Sequence, residues 1–121
     1  MTKKKMNLKE YQKLVKKTAK GDYKKKEDEI VNWGLGVVGE AGDLAGCIKK
    51  TVYHKNDQTK GVRENVGDTM WYLAMICNYY GWDFDEVLVE NIKKLKKRYK
   101  GKGFTEKSAA RGGTRVDWNE K

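Results

Sequence analysis

An all-α bundle of about four helices is the fold this sequence predicts, and three observations predict it. Proline is absent from the 121 residues, which removes one obstacle to long helices and leaves none of the rigid linkers that divide domains. Apolar residues recur at helical spacing in four successive stretches. Glycine then stands where those stretches end, at Gly21, Gly81 and Gly101. A chain of this length is expected to form one domain over 1–121, with a helical core at about 6–100 and an irregular tail at about 101–121.

The elements follow in order. Asn7 with Glu10 resembles a capping box, and Leu8, Tyr11, Leu14, Val15 and Ala19 then define a first helix at about 8–20. Tyr23 to Lys26 forms a basic connection. The second helix should begin near Glu27-Asp28-Glu29 and close with Lys49-Lys50, because acids favour a helix N-terminus and bases a C-terminus. At about 24 residues it would span roughly 36 Å. Tyr53 to Thr59, with His54, Asn56 and Asp57, reads as the turn. The third helix, about Lys60 to Tyr80, is apolar on nearly all sides beyond Asp68 and should be the most buried.

Asp83 with Glu86 makes a second capping box and opens the fourth helix. Its inner stripe is expected to hold Phe84, Val87, Leu88, Asn91, Ile92, Leu95 and Tyr99. Trp118 stands out in the tail, since a disordered segment has little reason to contain tryptophan.

Charge is unevenly distributed. Residues 1–26 carry +9, residues 27–90 carry −7 and residues 91–121 carry +8, for a net +10. An acidic middle with basic flanks suits a site that holds cations centrally and draws in a polyanion from its rim. No apolar run approaches the ~20 residues of a membrane span, and the basic N-terminus leads into an amphipathic pattern, so an intracellular, cytoplasmic protein without membrane contact is expected. Cys47 and Cys77 have no partners at metal-ligand spacing and read as reduced, buried thiols.

The segment from Gly34 to Lys50 reads as helix yet carries five glycines, each costing about 1 kcal/mol relative to alanine. Such a cost implies close packing against a neighbour, with Gly39, Gly42 and Gly46 spaced to admit a backbone. Glu40 and Asp43 share one side of this helix. A second acidic pair, Glu64 and Asp68, lies on the third helix, and antiparallel packing of the two would bring the pairs face to face. Carboxylates so placed require a cation or protons, and their hard oxygens suit Mg²⁺ or Mn²⁺. Without thiolate or histidine clusters, zinc does not fit. His54 is the only histidine and has no Ser or Cys arranged beside it, which argues against a hydrolytic triad and leaves it a loop role.

At these residues the chain resembles the MazG-like all-α nucleoside triphosphate pyrophosphohydrolases. The resemblance rests on Gly39-Glu40-Ala41-Gly42-Asp43, Ile48-Lys49-Lys50, Val66-Gly67-Asp68-Thr69-Met70-Trp71-Tyr72-Leu73 and Asn91 through Tyr99. Leu8 to Gln12 and Gly103-Phe104 also fit. The family's metal ligands follow E-x-x-E and E-x-x-D, which Glu40 and Asp68 match directly and Asp43 matches with one methylene fewer. Asn65 stands where the family usually has Glu, with Glu64 adjacent. The two lie about 60° and 40° to either side of Asp68, so either could reach the metal.

The resemblance implies a Mg²⁺-dependent hydrolysis of a nucleoside triphosphate between the α- and β-phosphates, with Mn²⁺ as a possible substitute. Glu40, Asp43, Glu64 and Asp68 would be catalytic and, with Asn65, would hold metal. Lys50, Asn91, Lys94 and Arg98 would bind phosphate, and Tyr72 would line the nucleoside pocket. The resemblance further implies a homo-oligomer, dimer or tetramer, built through the long helices. A different reading, a basic helical nucleic-acid-binding protein with weak or no catalysis, is favoured by the lysine-rich ends and by Asn65. The acidic middle and the lack of a reader motif oppose it.

Overall fold

The computed structural model describes residues 5–100 and 103–110. Its elements are α1 (Leu8–Val15), a 3₁₀ turn (Lys16–Thr18), α2 (Lys26–Tyr53), α3 (Thr59–Tyr80), α4 (Phe84–Arg98) and α5 (Glu106–Ala110), with no strand among the described residues. The all-α expectation therefore holds. The chain forms two compact units, Met1–Phe84 and Asp85–Lys121.

The first unit is organised by α2 and α3. Five residues, 54–58, connect them, and such a short link makes antiparallel neighbours. The first N–H of α3, at Thr59, is capped by Asp57 Oδ1 at 3.0 Å, and the Thr59 hydroxyl donates to the same oxygen. These two bonds, the hydroxyl's first, hold the Asp57 carboxyl below its ordinary pKa. The register then follows from the side chains that meet. Trp33 lies against Trp71 and Tyr72, Gly36 faces the Tyr72 ring, and Cys47 faces both Gly61 and Asn65.

α1 is capped as its sequence indicates. Asn7 Oδ1 accepts from the Glu10 N–H at 2.8 Å, and Glu10 Oε1 accepts from Asn7 Nδ2 at 3.1 Å. The helix ends sooner than expected, tightening into the 3₁₀ turn at Lys16. Gln12 ties α1 to the far end of α3. Its Nε2 donates to Asn78 Oδ1 and to the Trp82 carbonyl, and its Oε1 accepts from the Phe84 N–H at 2.9 Å. Asn78 Nδ2 returns a bond to the Gln12 carbonyl. Gly81, at φ +72°, closes α3 in the left-handed conformation that glycine adopts without penalty, and the Trp82 N–H reaches back to the Cys77 carbonyl.

Among the described residues the buried apolar ones are Val15, Trp33, Ala74, Met75, Cys77 and Phe84, and half of them lie on α3, as its pattern indicates. Trp33, 2% exposed, is the centre of an aromatic cluster. It meets Tyr23 and Trp71 edge-on at centroid distances of 5.9 and 5.4 Å and donates from Nε1 to Glu29. Both cysteines are free, Cys77 buried and Cys47 half-buried.

In the second unit α4 departs from the expected stripe, because Leu88, Asn91 and Ile92 are exposed while Val87, Leu95 and Tyr99 are half-buried. The tail is less irregular than its composition indicates, since Glu106–Ala110 forms α5 behind an N-terminal Thr105 whose hydroxyl accepts from the Ser108 N–H. Gly101, Trp118 and the rest of the expected tail beyond 110 lie outside the described residues.

Candidate functional site

One face of α2 is turned to α3 and carries Trp33, Gly36, Glu40 and Cys47, at successive spacings of three, four and seven residues. Glu40 is thereby aimed at the hairpin interface, where Asp68 of α3 stands. The two carboxylates share a cleft of about 310 Å³ with Thr18, Trp71 and Tyr72. Trp71 Nε1 donates to Thr18 Oγ1 at 2.9 Å, which joins the 3₁₀ turn to the cleft wall.

The electrostatics register this crowding. Loss of water pushes the Glu40 pKa above its ordinary value, and the negative charges of Asp68 and then Asp43 push it further. Asp68 also reaches Tyr11, whose hydroxyl is raised first by burial and then by that carboxylate. Among the described residues, no three of His, Cys, Asp and Glu stand close enough to hold a metal by themselves. The assembled donor set is a pair of carboxylates with Asp43 as a third charge at longer range.

The remaining sequence candidates lie on α2, α3 and α4 and in the 54–58 loop. Asp43 and Glu64 are exposed. Asn65 is half-buried, with Nδ2 donating to Cys47 Sγ at 3.6 Å, which leaves its carbonyl oxygen as the group it can offer. Lys50 is exposed in the last turn of α2. Asn91, Lys94 and Arg98 share one face of α4 in the second unit, at spacings of three and four residues. Arg98 Nε is buried with no hydrogen-bond partner among the described residues. Tyr72 lines the cleft of Glu40 and Asp68, and His54 caps the C-terminus of α2 in the loop.

Two features escaped the sequence reading. Thr18 is separated from Asp68 by fifty residues of chain, and no local pattern marks it. The tight glycines are also different ones: a Cβ at Gly39, Gly42 or Gly46 would meet nothing within 4 Å, whereas a Cβ at Gly36 would fall inside the Tyr72 ring and one at Gly61 would lie 2.9 Å from Cys47 Sγ.

Glu40 and Asp68 thus form a two-helix acidic pair on an all-α scaffold, with Trp71 and Tyr72 as an aromatic wall beside it. Residues 32–102, more than half of the chain, match the MazG nucleotide pyrophosphohydrolase domain, and the chain belongs to that family. It is also similar to the "Gene 37 protein" of Mycobacterium phage L5, with 32% identity over 69 residues, 53% of this chain and 60% of the relative. The chain thus spans about three-fifths of the length of the curated relative it matches. No solved structure matches it. No helix among the described residues is long and apolar enough to cross a membrane.

Proposed function

We propose that the chain hydrolyses a nucleoside triphosphate between the α- and β-phosphates, giving the monophosphate and pyrophosphate, with Mg²⁺ or Mn²⁺ as cofactor. The observation that carries this reading is the pairing of Glu40 with Asp68 across the α2–α3 hairpin, with lost water and then like charges raising the proton affinity of Glu40. A divalent cation relieves that repulsion. Mg²⁺ binds through one or two carboxylates and retains waters and substrate phosphates, so this donor chemistry fits it.

Glu40 and Asp68 would hold the ion, with Asp43 and either Glu64 or the Asn65 carbonyl completing the set. When bound, the metal supplies neutralisation of phosphate charge and a lowered pKa for a coordinated water. Among the acidic residues Glu40, Asp43, Glu64 and Asp68, a carboxylate would orient the attacking water and accept its proton. Tyr72 flanks the nucleoside. Lys50, Asn91, Lys94 and Arg98 bind phosphate oxygens, and the unpartnered Nε of Arg98 is a donor that an anion would satisfy.

The test is pyrophosphate release from each NTP and dNTP by purified protein. At least one nucleotide is expected to yield product with Mg²⁺, and a chelator is expected to abolish release, with recovery on adding Mg²⁺ or Mn²⁺. Failure with every nucleotide, or release unaffected by chelation, would sink this reading.

The same reading includes a homo-oligomer, and α2 supports it because its second face is apolar too. Val31, Leu35 and Val38 are exposed by 56, 66 and 70% on the side away from α3, where Gly39, Gly42 and Gly46 also open outward. Two antiparallel copies of α2 crossing between Val38 and Gly39 would set Val38 over Gly39, Leu35 over Gly42 and Val31 over Gly46. They would also bring Asp28 beside Lys49. Each bulky residue then has an empty position to fill, and the acidic first turn meets the basic last turn. Light scattering is expected to give a dimer or larger assembly that Leu35→Lys or Val38→Lys reduces to monomer, while Val89→Lys on α4 leaves the mass unchanged. An unchanged mass in all three variants would remove α2 from the interface.

A further inference from the structure

On the first unit, away from Glu40 and Asp68, two clefts adjoin along α1. One, of about 470 Å³, is lined by Lys16, Lys20, Lys26, Asn78 and Tyr79. The other, of about 310 Å³, is lined by Lys9, Lys13, Lys16, Asn78 and Trp82. Lys16 and Asn78 belong to both, so the clefts are neighbours along one surface, and neither shares a residue with the acidic cleft. Lys9, Lys13 and Lys16 recur at four and three residues, which places them on one face over about 10 Å of helix. The acids lining this surface are Glu29 and Asp83; Glu29 accepts from Trp33, and Asp83 has a partner of its own. Against these two carboxylates the two clefts set five lysines, Lys9, Lys13, Lys16, Lys20 and Lys26, a net positive lining.

At its end stands an aromatic pair that packing does not explain. Tyr80 and Trp82 stack with centroids 4.6 Å apart and planes 19° from parallel, yet they are 51 and 52% exposed. The backbone beneath them is fixed. Gly81 makes the left-handed turn, the Trp82 N–H donates to the Cys77 carbonyl at 2.9 Å, and the Trp82 carbonyl accepts from Gln12 at 2.8 Å. A rigid, half-open indole beside a lysine track is the arrangement that tracks a phosphate backbone electrostatically and stacks an unpaired base.

We propose that this surface is a docking track for single-stranded nucleic acid, with Lys9, Lys13, Lys16, Lys20 and Lys26 following the phosphates and Trp82 stacking a base. Duplex DNA does not offer the exposed base face that Trp82 takes. The five lysines all precede residue 32, whereas Asn78, Tyr79 and Trp82 lie within the residues 32–102 that match the family, and the track shares no residue with the acidic cleft.

The experiment titrates the full chain into fluorescein-labelled dT15 and into the matching duplex across a salt series. The single strand is expected to bind more tightly, with a log–log salt slope of roughly −2 to −3.5 for three to five neutralised phosphates. Trp82→Ala is expected to weaken binding about 5- to 100-fold without changing the slope, and Trp82→Phe to restore most of it. Lys13→Gln and Lys16→Gln should each reduce the slope by about 0.7. Asp68→Asn should leave binding unchanged. The proposal is overturned by absence of binding at low salt or by equal affinity for duplex that ignores Trp82. It is equally overturned by loss of binding in Asp68→Asn, which would place the oligonucleotide in the acidic cleft, or by Trp82→Ala altering only the mass of the assembly, which would make the aromatic pair a contact between copies.

Discussion

Asp68→Asn and Glu40→Gln are each expected to lower pyrophosphate release roughly 10²- to 10³-fold, the loss typical when one preorganised charge-stabilising group is removed. Glu40→Gln is also expected to raise the Tm of the metal-free protein at neutral pH. Both expectations come from the same electrostatics. Loss of water, then Asp68, then Asp43 raise the folded-state pKa of Glu40 above its unfolded value. The native state therefore binds more protons than the unfolded chain between those two values, and stability falls as pH rises through that window. Above it the ionised Glu40 strains the fold, and glutamine removes the strain together with the ligand. Thermal melts in chelator between pH 4 and 8 should show Glu40→Gln gaining on the parent as pH rises. A Gln variant that melts below the parent by one constant amount at every pH would contradict this account. Adding Mg²⁺ should raise the parent's Tm more than the variant's.

Gly36→Ala is expected to cost about 1–3 kcal/mol of stability and to lower kcat/KM at least several-fold. The added methyl would occupy the space of the Tyr72 ring, so the ring must leave the cleft wall or the helices must part, and overpacking of this kind has that cost. Gly34→Ala on the same helix meets nothing within 4 Å and should be neutral or stabilising by up to about 1 kcal/mol through helix propensity. Chemical denaturation of Gly36→Ala, Tyr72→Leu and the double variant separates a steric cause from a general one. If the clash is with Tyr72, most of the Gly36→Ala penalty disappears in the Tyr72→Leu background. Additive penalties would show that Gly36 matters for another reason.

The helices were legible because their determinants are local. The Asn7–Glu10 box, the acids at Glu27–Glu29 and Gly81 after Tyr80 act over one turn of chain, and each stands where its type indicates. α2 extends three residues beyond Lys50, to Tyr53, because no glycine or proline stops it there. The end of α1 was less legible, since its last turn tightens at Lys16 where the apolar spacing runs on to Ala19. α5 lay in a segment whose glycines masked a single good helix turn.

The site divides the same way. Glu40 and Asp68 could be chosen from the sequence because an acid among Gly, Val and Trp on an apolar helix face has few structural uses. Thr18, Gln12, Trp82 and the special position of Gly36 could not, because each owes its role to a residue at least thirty-six positions away or, for Trp82, to exposure that hydropathy does not encode. Gly36 and Gly39 are indistinguishable in a sequence, for both lower helix propensity equally.

By itself, then, the sequence determined the all-α architecture and the short link between α2 and α3, since capping and periodicity are properties of neighbouring residues. Tertiary structure alone decided the register in which α2 meets α3. That register brings Tyr72 onto Gly36 and Asp68 into the charge field of Glu40, and it turns Gly39, Gly42 and Gly46 outward. The physical reason is that register is fixed by volume: the hairpin locks where the aromatic rings of Trp33, Trp71 and Tyr72 find room, and Tyr72 occupies the space that a Cβ at Gly36 would fill.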